Sequence, residues 1–165
     1  MSFRSSLESA LRAGRFAFGA ALLSTSAGPL AAPATVQPFG PQTWGDLQRA
    51  GAKPQVVVFS TTDCSHCPAV IDGLATSLRK SALKPRLVVV VMDGAGQEAE
   101  LLADRHYRQA DALHAFDGDA VNLRYRVNPD WRGLTPYVVL LPAGGGPRHF
   151  NGAPPAGALR ALLHP

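Results

Sequence analysis

Residues 55–67 read QVVVFSTTDCSHC, and they join a continuous apolar run to a pair of cysteines. The residues at 56–59 are mostly β-branched, which predicts a strand covered on both faces. Cys64 and Cys67 are the only two cysteines among 165 residues. We expect the strand-to-helix junction to place Cys64 at a helix N-terminus, where free backbone N–H groups favour a thiolate. Such a pair is suited to dithiol–disulfide exchange.

The residues after the cysteines predict a strand–helix–strand unit. A helical pattern runs through Lys80, and residues 86–93 (RLVVVVMD) form a second apolar strand. This spacing favours parallel pairing of the two strands. Beyond it we expect a helix at 97–113, a short helix at 120–125, strands at 137–141 and 148–151, and a last helix to residue 163. The predicted fold class is α/β, with a central mixed sheet of about four strands flanked by helices.

The N-terminus has the parts of a secretory signal peptide. Basic residues precede an apolar stretch at 16–23, and residues 32–34 (APA) match the small-residue cleavage pattern. The apolar stretch is shorter than the roughly 20 residues of a spanning helix, so we expect cleavage, with an uncleaved anchor as the alternative. The predicted domains are a signal peptide at 1–34, an extended linker at 35–42 and one globular domain at 43–165.

The leader predicts an exported protein, either soluble or tethered to a membrane at its N-terminus. The formal net charge of +4 is small, and the arginines are scattered, which argues against a nucleic-acid partner. A disulfide persists in an exported compartment. A CxxC pair closes too short a loop to constrain the unfolded chain, so its role is chemical rather than structural.

The chain resembles the thioredoxin-like superfamily. The motifs that carry the resemblance are the element order, the CxxC that opens the first long helix, and Thr135-Pro136 just before the third strand. With the predicted export signal, it is similar to exported TlpA/DsbE-like reductases and Dsb-type exchangers. This similarity implies a periplasmic location, either soluble or tethered to the inner membrane. The resemblance implies that Cys64 attacks and Cys67 resolves. It also implies that Pro136 is cis and that the backbone of Thr135 pairs with an extended client segment.

The same resemblance implies the partners and the absence of an organic cofactor. Electrons would pass through the Cys64–Cys67 disulfide alone, to or from cysteines of exported client proteins. A membrane protein would return the pair to its active redox state.

Three departures from thioredoxin bear on the direction of electron flow and on the speed of reductase turnover. Asp63 precedes the first cysteine, and its negative charge opposes a thiolate, whereas His66 within the motif stabilises one. Ser65 and His66 replace the usual Gly-Pro pair. Val58 stands where thioredoxin has a buried acid, and Glu98, Asp93 or a water is the candidate substitute. The segment 93–136 contains no obvious helical insertion for unfolded clients, which favours a dedicated reductant slightly.

Metal binding is the alternative from a different class. A structural zinc site usually needs four protein ligands, and the chain has no second CxxC. Soft thiolates also select Cu(I), and Sco-type copper assembly factors resemble this chain in a Tyr-x-Val stretch at 125–127. Those proteins have a CxxxC spacing and a histidine shortly after that valine, where this chain has Asn128-Pro129. We therefore expect no metal ligands.

The sequence also predicts the burial or exposure of four other side chains. His106 is predicted to be partly buried and hydrogen-bonded. His114 and His149 are predicted at the surface. Trp131, in the loop before Pro136, fits either a core position or the client groove.

Overall fold

The apolar runs of the sequence form the inner strands of one mixed β-sheet. The computed structural model describes residues 32–50 and 53–164. Within them the strands are β1 Val36–Phe39, β2 Gln55–Ser60, β3 Arg86–Val91, β4 Ala112–Phe116, β5 Tyr137–Leu141 and β6 Arg148–Asn151. Their order across the sheet is β1-β4-β3-β2-β5-β6. β2 pairs in parallel with β3 and antiparallel with β5, so it occupies the interior of the sheet.

Helices cover both faces of this sheet. They are α1 Thr43–Arg49, α2 Cys67–Lys80, α3 Glu98–Ala103, α4 Ala120–Val127 and α5 Ala156–Leu163. The apolar sides of α2, α3 and α5 pack in one core cluster, and those of α1 and α4 pack in the other. This explains why β2 and β3 are continuous apolar runs rather than alternating ones, because each face of the sheet is buried.

Helix α2 begins within the CxxC motif, so the packing of this helix fixes the position of Cys67. Ile71, Leu74 and Leu78 recur at helical spacing and are buried against the sheet. Pro68 lies in the first turn, where its missing N–H costs no helical hydrogen bond. Basic residues in the last turn complement the negative end of the helix dipole.

The predicted helix at 97–113 is wrong over its second half. Helix α3 ends at Ala103, a single 3₁₀ turn covers Tyr107–Gln109, and β4 follows. The carboxylate of Asp104 accepts the backbone N–H groups of His106 and Tyr107, which replaces the helical pattern with a turn. Strand β4 then pairs in parallel with both β3 and β1, so long-range hydrogen bonds outweigh the helical spacing of the local sequence.

The same change overturns the prediction that His114 lies at the surface. His114 is in β4 and is 5% exposed, with the Phe39 ring edge-on at 6.2 Å. Burial lowers the pKa of His114 below its ordinary value, and the positive charge of Arg86 lowers it further. A hydrogen bond with the backbone of Pro38 opposes these effects.

We expect acid to destabilise the chain partly through His114. Below about pH 6.5 the unfolded chain binds a proton at His114 that the folded chain does not, so stability falls as pH falls toward the lowered pKa. The His114→Gln variant should lose less stability between about pH 7.5 and 5.5, measured by urea unfolding. Replacing the exposed His164 by Gln should leave the profile unchanged. An unaltered profile in His114→Gln would contradict this account.

The segment 35–42 also differs from its prediction, because it contains β1 rather than a linker outside the sheet. Pro38 is tolerated there because β1 is an edge strand. The predicted signal peptide at 1–34 falls almost wholly outside the described residues, which begin at Ala32. Among residues 32–50 and 53–164, no helix has the length and apolar character needed to cross a membrane.

Candidate redox site

The two cysteines form a disulfide at the junction between β2 and α2. Their Cα atoms are 5.4 Å apart. The Cys64 N–H donates to the Thr61 carbonyl at 3.2 Å, and the Cys67 N–H donates to the Cys64 carbonyl at 3.3 Å. Helix α2 begins at Cys67, so the expectation that Cys64 itself opens the helix is corrected by three residues. Cys64 lies in the turn before the helix.

The two sulfur-bearing residues differ in accessibility. Cys64 is half-buried, whereas Cys67 is 1% exposed and belongs to the core cluster beneath α2. The side chains of Asp63, Ser65 and His66 are exposed around Cys64. A large partner can therefore approach Cys64 from solvent but cannot reach Cys67 directly.

The loop before β5 lies against the cysteine turn. The Thr135–Pro136 peptide bond is cis, and Pro136 is buried. The hydroxyl oxygens of Thr135 and Thr61 are 3.3 Å apart, a hydrogen bond between residues 74 positions apart in the chain. The structure thus brings Thr135 next to the residue whose carbonyl holds the Cys64 N–H.

A carboxylate fixes the other side of the turn. Asp93, just after β3, accepts the backbone N–H of Thr62 at 2.9 Å and its hydroxyl at 2.7 Å. Charge-assisted bonds of this kind are stronger than neutral ones. Asp93 was a candidate substitute for the buried acid of thioredoxin. Its carboxylate is exposed and holds the turn that carries Cys64.

The other positions considered for that acid do not supply a proton acceptor in the core. Val58 is fully buried among apolar neighbours. Glu98 is exposed on α3 and accepts the backbone N–H of Gly96, and hydrogen bonds from its own backbone and from Gly96 lower its pKa. The Glu98 carboxylate therefore accepts hydrogen bonds at the start of α3 and lies outside the core.

Two buried hydroxyls occupy the space below the turn. Ser60 is the last residue of β2 and has no exposed surface, and Tyr107 is 8% exposed. Their hydroxyl oxygens are 3.3 Å apart. Burial raises the pKa of Tyr107, and nearby Asp104 and Asp93 act in the same direction, whereas the bond with Ser60 opposes them. Tyr107 is therefore a neutral hydrogen-bond donor at neutral pH.

Trp131 is a core residue, which settles the choice left open by the sequence. It is 6% exposed, and its ring stacks on Tyr137 with centroids 4.3 Å apart and an interplanar angle of 9°. Its indole N–H donates to the Leu134 carbonyl at 2.9 Å and so fixes the loop that leads to Pro136. Trp131 supports this loop from inside, while the Leu134 side chain is exposed.

Of the two remaining histidine predictions, the one for His106 is confirmed and the one for His149 is wrong. His106 is partly buried as expected, with Nδ1 at 2.9 Å from a carboxylate oxygen of Asp72 on α2. His149 was expected at the surface, but it is partly buried, with its ring 5.9 Å from that of Tyr137. Burial lowers the pKa of His149. Among the residues that the structure describes, no hydrogen bond joins either histidine side chain to the cysteine turn.

No group of three or more His, Cys, Asp or Glu side chains within residues 32–50 and 53–164 is arranged to hold a metal ion. Asn128, at the position compared with a copper-binding histidine, donates to the Tyr137 hydroxyl at 2.7 Å. Its side chain is thereby tied to the core beside Trp131.

Sequence reasoning missed the groups that hold the cysteine turn: Ser60, Thr61, Thr62 and Tyr107. The one local signal was a polar residue, Ser60, at the end of an apolar strand. Tyr107 gave no such signal, because its partner lies 47 residues away. The fold and the site together define an α/β protein with the thioredoxin fold and a CxxC disulfide at the end of an inner strand.

No protein-family profile matches the chain, and no curated protein matches it. A crystal structure of a thioredoxin-like superfamily protein aligns at a TM-score of 0.52 and 21% identity, over 82% of this chain and 97% of that one. A solution structure of an uncharacterized thioredoxin-like protein from Porphyromonas gingivalis aligns at 0.50 and 21%, over 69% and 77%. These two similarities confirm the predicted fold class.

A third solved structure is a secreted Mycobacterium tuberculosis disulfide oxidoreductase homologous to E. coli DsbE. It aligns at a TM-score of 0.48 and 20% identity, over 68% of this chain and 81% of that one.

Proposed function

We propose that this chain is a thiol–disulfide oxidoreductase that acts on cysteines of exported proteins. The observation that carries the proposal is the unequal burial of a CxxC pair, with Cys64 half-buried and Cys67 1% exposed. Disulfide exchange needs one thiol that a client can reach and a second that only the first can reach. The turn before α2 supplies this arrangement.

As a reductant, the dithiol form would transfer two electrons in two steps. The Cys64 thiolate attacks one sulfur of a client disulfide, which forms a mixed disulfide and releases the other client sulfur as a thiolate. The Cys67 thiolate then attacks Cys64, which breaks the mixed disulfide and releases the second client sulfur. The client ends as a dithiol, and Cys64–Cys67 ends as a disulfide that a further thiol donor must reduce.

Two carboxylates close to Cys64 in the chain or in the fold support the reductant direction. Asp63 is adjacent to Cys64, and Asp93 is bonded to Thr62, two residues before it. Negative charge near Cys64 destabilises its thiolate, and so it destabilises the reduced form and makes the pair a better electron donor. His66, Asp63 and Asp93 are all exposed, so solvent weakens the three charges alike, and two carboxylates oppose one histidine.

The remaining roles follow from the same proposal. Thr135 and Pro136 would form the client-binding edge next to Cys64, since the Thr135 hydroxyl contacts Thr61. The backbone of Thr135 would pair with an extended client segment. Residues 1–34 would direct export to the periplasm, with or without an N-terminal tether, and a membrane redox partner would reduce the pair again. The disulfide is the only redox group required.

Equilibration with glutathione tests both the exchange and its direction. We expect the Cys64–Cys67 pair to exchange reversibly, with a reduction potential near about −230 mV or lower. The measurement is the fraction of dithiol after acid quenching and alkylation, over a series of glutathione ratios. A value near about −120 mV would reverse the assigned direction and make His66 the dominant influence.

Copper delivery is separated from exchange by a Cu(I) titration of the reduced chain. The described residues contain no third ligand beside the cysteine pair. Stoichiometric Cu(I) binding that survives competition from glutathione, without disulfide exchange, would replace the proposal by the Sco-like alternative.

A further inference from the structure

Three donor groups lie within hydrogen-bond distance of one backbone carbonyl at the base of the cysteine turn. The Thr61 oxygen accepts the Cys64 N–H at 3.2 Å. It also lies 3.2 Å from the Ser60 hydroxyl and 3.4 Å from the Tyr107 hydroxyl. Each of the two hydroxyls belongs to a buried side chain. Solvent is therefore poorly placed to take over their role.

The hydroxyls of Ser60 and Tyr107 also contact each other, at 3.3 Å. Either oxygen can be the donor in that contact. Whichever hydroxyl donates in that contact, the other hydroxyl is left to donate to the Thr61 carbonyl, because a carbonyl is an acceptor only. Tyr107 thus supports the carbonyl directly in one arrangement and through Ser60 in the other.

We propose that Tyr107 is a positioning residue for the redox pair and that it acts on Cys64 through the Thr61 carbonyl. The inference rests on the proposed exchange function. Hydroxyl donors that occupy the carbonyl fix the turn from Thr61 to Cys64. They also offset the negative end of a dipole that lies beside the Cys64 backbone. Both effects favour the Cys64 thiolate, and bonds in a buried chain reinforce one another.

Tyr107 reaches this position from a distant part of the chain. It lies in the 3₁₀ turn between α3 and β4, and Asp104 accepts its backbone N–H at 3.2 Å. The Asp104 carboxylate thereby orients the turn that carries the tyrosine. Burial keeps the hydroxyl protonated, so it stays a donor over the neutral pH range.

The test is the Tyr107→Phe variant, which removes one oxygen and keeps the ring. We expect the equilibrium with glutathione to move about threefold toward the disulfide, because the reduced form loses thiolate stabilisation. The pH at which the rate of Cys64 alkylation by iodoacetamide is half of its maximum should rise by about half a unit. A purely structural role of Tyr107 would lower stability in urea without moving either quantity.

Matched variants keep the outcome interpretable. Tyr125→Phe removes a hydroxyl from a side chain that is 64% exposed, and it should leave the equilibrium unchanged. Ser60→Ala should shift the equilibrium in the same direction, and the double variant should shift it by more than the sum of the single variants, because in each single variant the remaining hydroxyl can still donate to the Thr61 carbonyl. Additive effects would overturn the shared route.

The two levels of proposal fail differently in this experiment. A wild-type chain that does not exchange with glutathione overturns the proposed function. A wild-type chain that exchanges, together with Tyr107→Phe and Ser60→Ala variants that match it in equilibrium and pH profile, overturns the positioning role alone. If Tyr107→Phe does not fold, Ser60→Ala tests the same carbonyl by itself.

Discussion

The Cys67→Ser variant should accumulate a covalent complex with a disulfide substrate, and the Cys64→Ser variant should not. In Cys67→Ser, the half-buried Cys64 still attacks, but no second thiol remains to release the substrate. In Cys64→Ser, the remaining thiol is 1% exposed and cannot meet a substrate disulfide. We expect near-complete loss of turnover in both variants and a difference only in the trapped product.

The measurement uses a short peptide that contains one disulfide. Each reduced variant is incubated with the peptide, quenched in acid and analysed by intact mass under non-reducing conditions. Cys67→Ser should gain the mass of the peptide, and dithiothreitol should remove it. The Cys64→Ser, Cys67→Ser double variant measures background attachment.

Equal trapping by both single variants would contradict the assignment of Cys64 as the attacking thiol. Absence of trapping by either variant, combined with loss of Cu(I) binding in both, would favour the metal-binding alternative. These outcomes differ from those of the glutathione equilibrium, which reports the stability of the disulfide rather than the identity of the attacking sulfur.

The Phe59→Ala variant should have the largest effect on stability. Phe59 has no exposed surface, and its ring lies within 4.9 Å of Trp131 and 5.6 Å of Phe39, measured between centroids. Removing the ring leaves a cavity on the α1–α4 face of the sheet. Buried phenylalanine-to-alanine changes cost about 3–5 kcal/mol of unfolding free energy.

Urea unfolding of the oxidised chain, followed by far-ultraviolet circular dichroism, measures this cost. Phe59→Leu should lose less than Phe59→Ala because it retains most of the buried volume, and it keeps the comparison usable if the alanine variant does not fold. Val121→Ala, at a side chain that is 62% exposed, should change stability by less than about 0.5 kcal/mol. A small loss for Phe59→Ala would mean that the aromatic cluster collapses around the missing ring.

The strands that flank the site were predictable because their signal is local. β2 and β3 are continuous apolar runs, and the pattern of α2 follows directly after the CxxC motif. Each segment carries its own burial pattern, so a single sequence indicates both the element and its depth in the sheet. The position of Pro136 before β5 was visible for the same reason.

β4 was not predictable in this way. Its residues continue the helical spacing of the preceding segment, and they became a strand because β1 and β3 offer parallel partners on both sides. The burial of His114 depends on that pairing and could not be inferred before it. β1 likewise lacks a strong local pattern and forms a strand only by pairing with β4.

The sequence by itself determined that the site contains a cysteine pair able to form a disulfide, because two cysteines separated by two residues stay close together whatever the rest of the chain does. It also determined that an inner strand leads into them. Only the tertiary structure decided what holds Cys64 in place. Thr135, Asp93 and Tyr107 come from three separate segments, and their contacts with residues 60–62 exist only after the sheet has paired and buried its faces. Hydrogen bonds between residues so far apart in the chain leave no periodic signal in a single sequence.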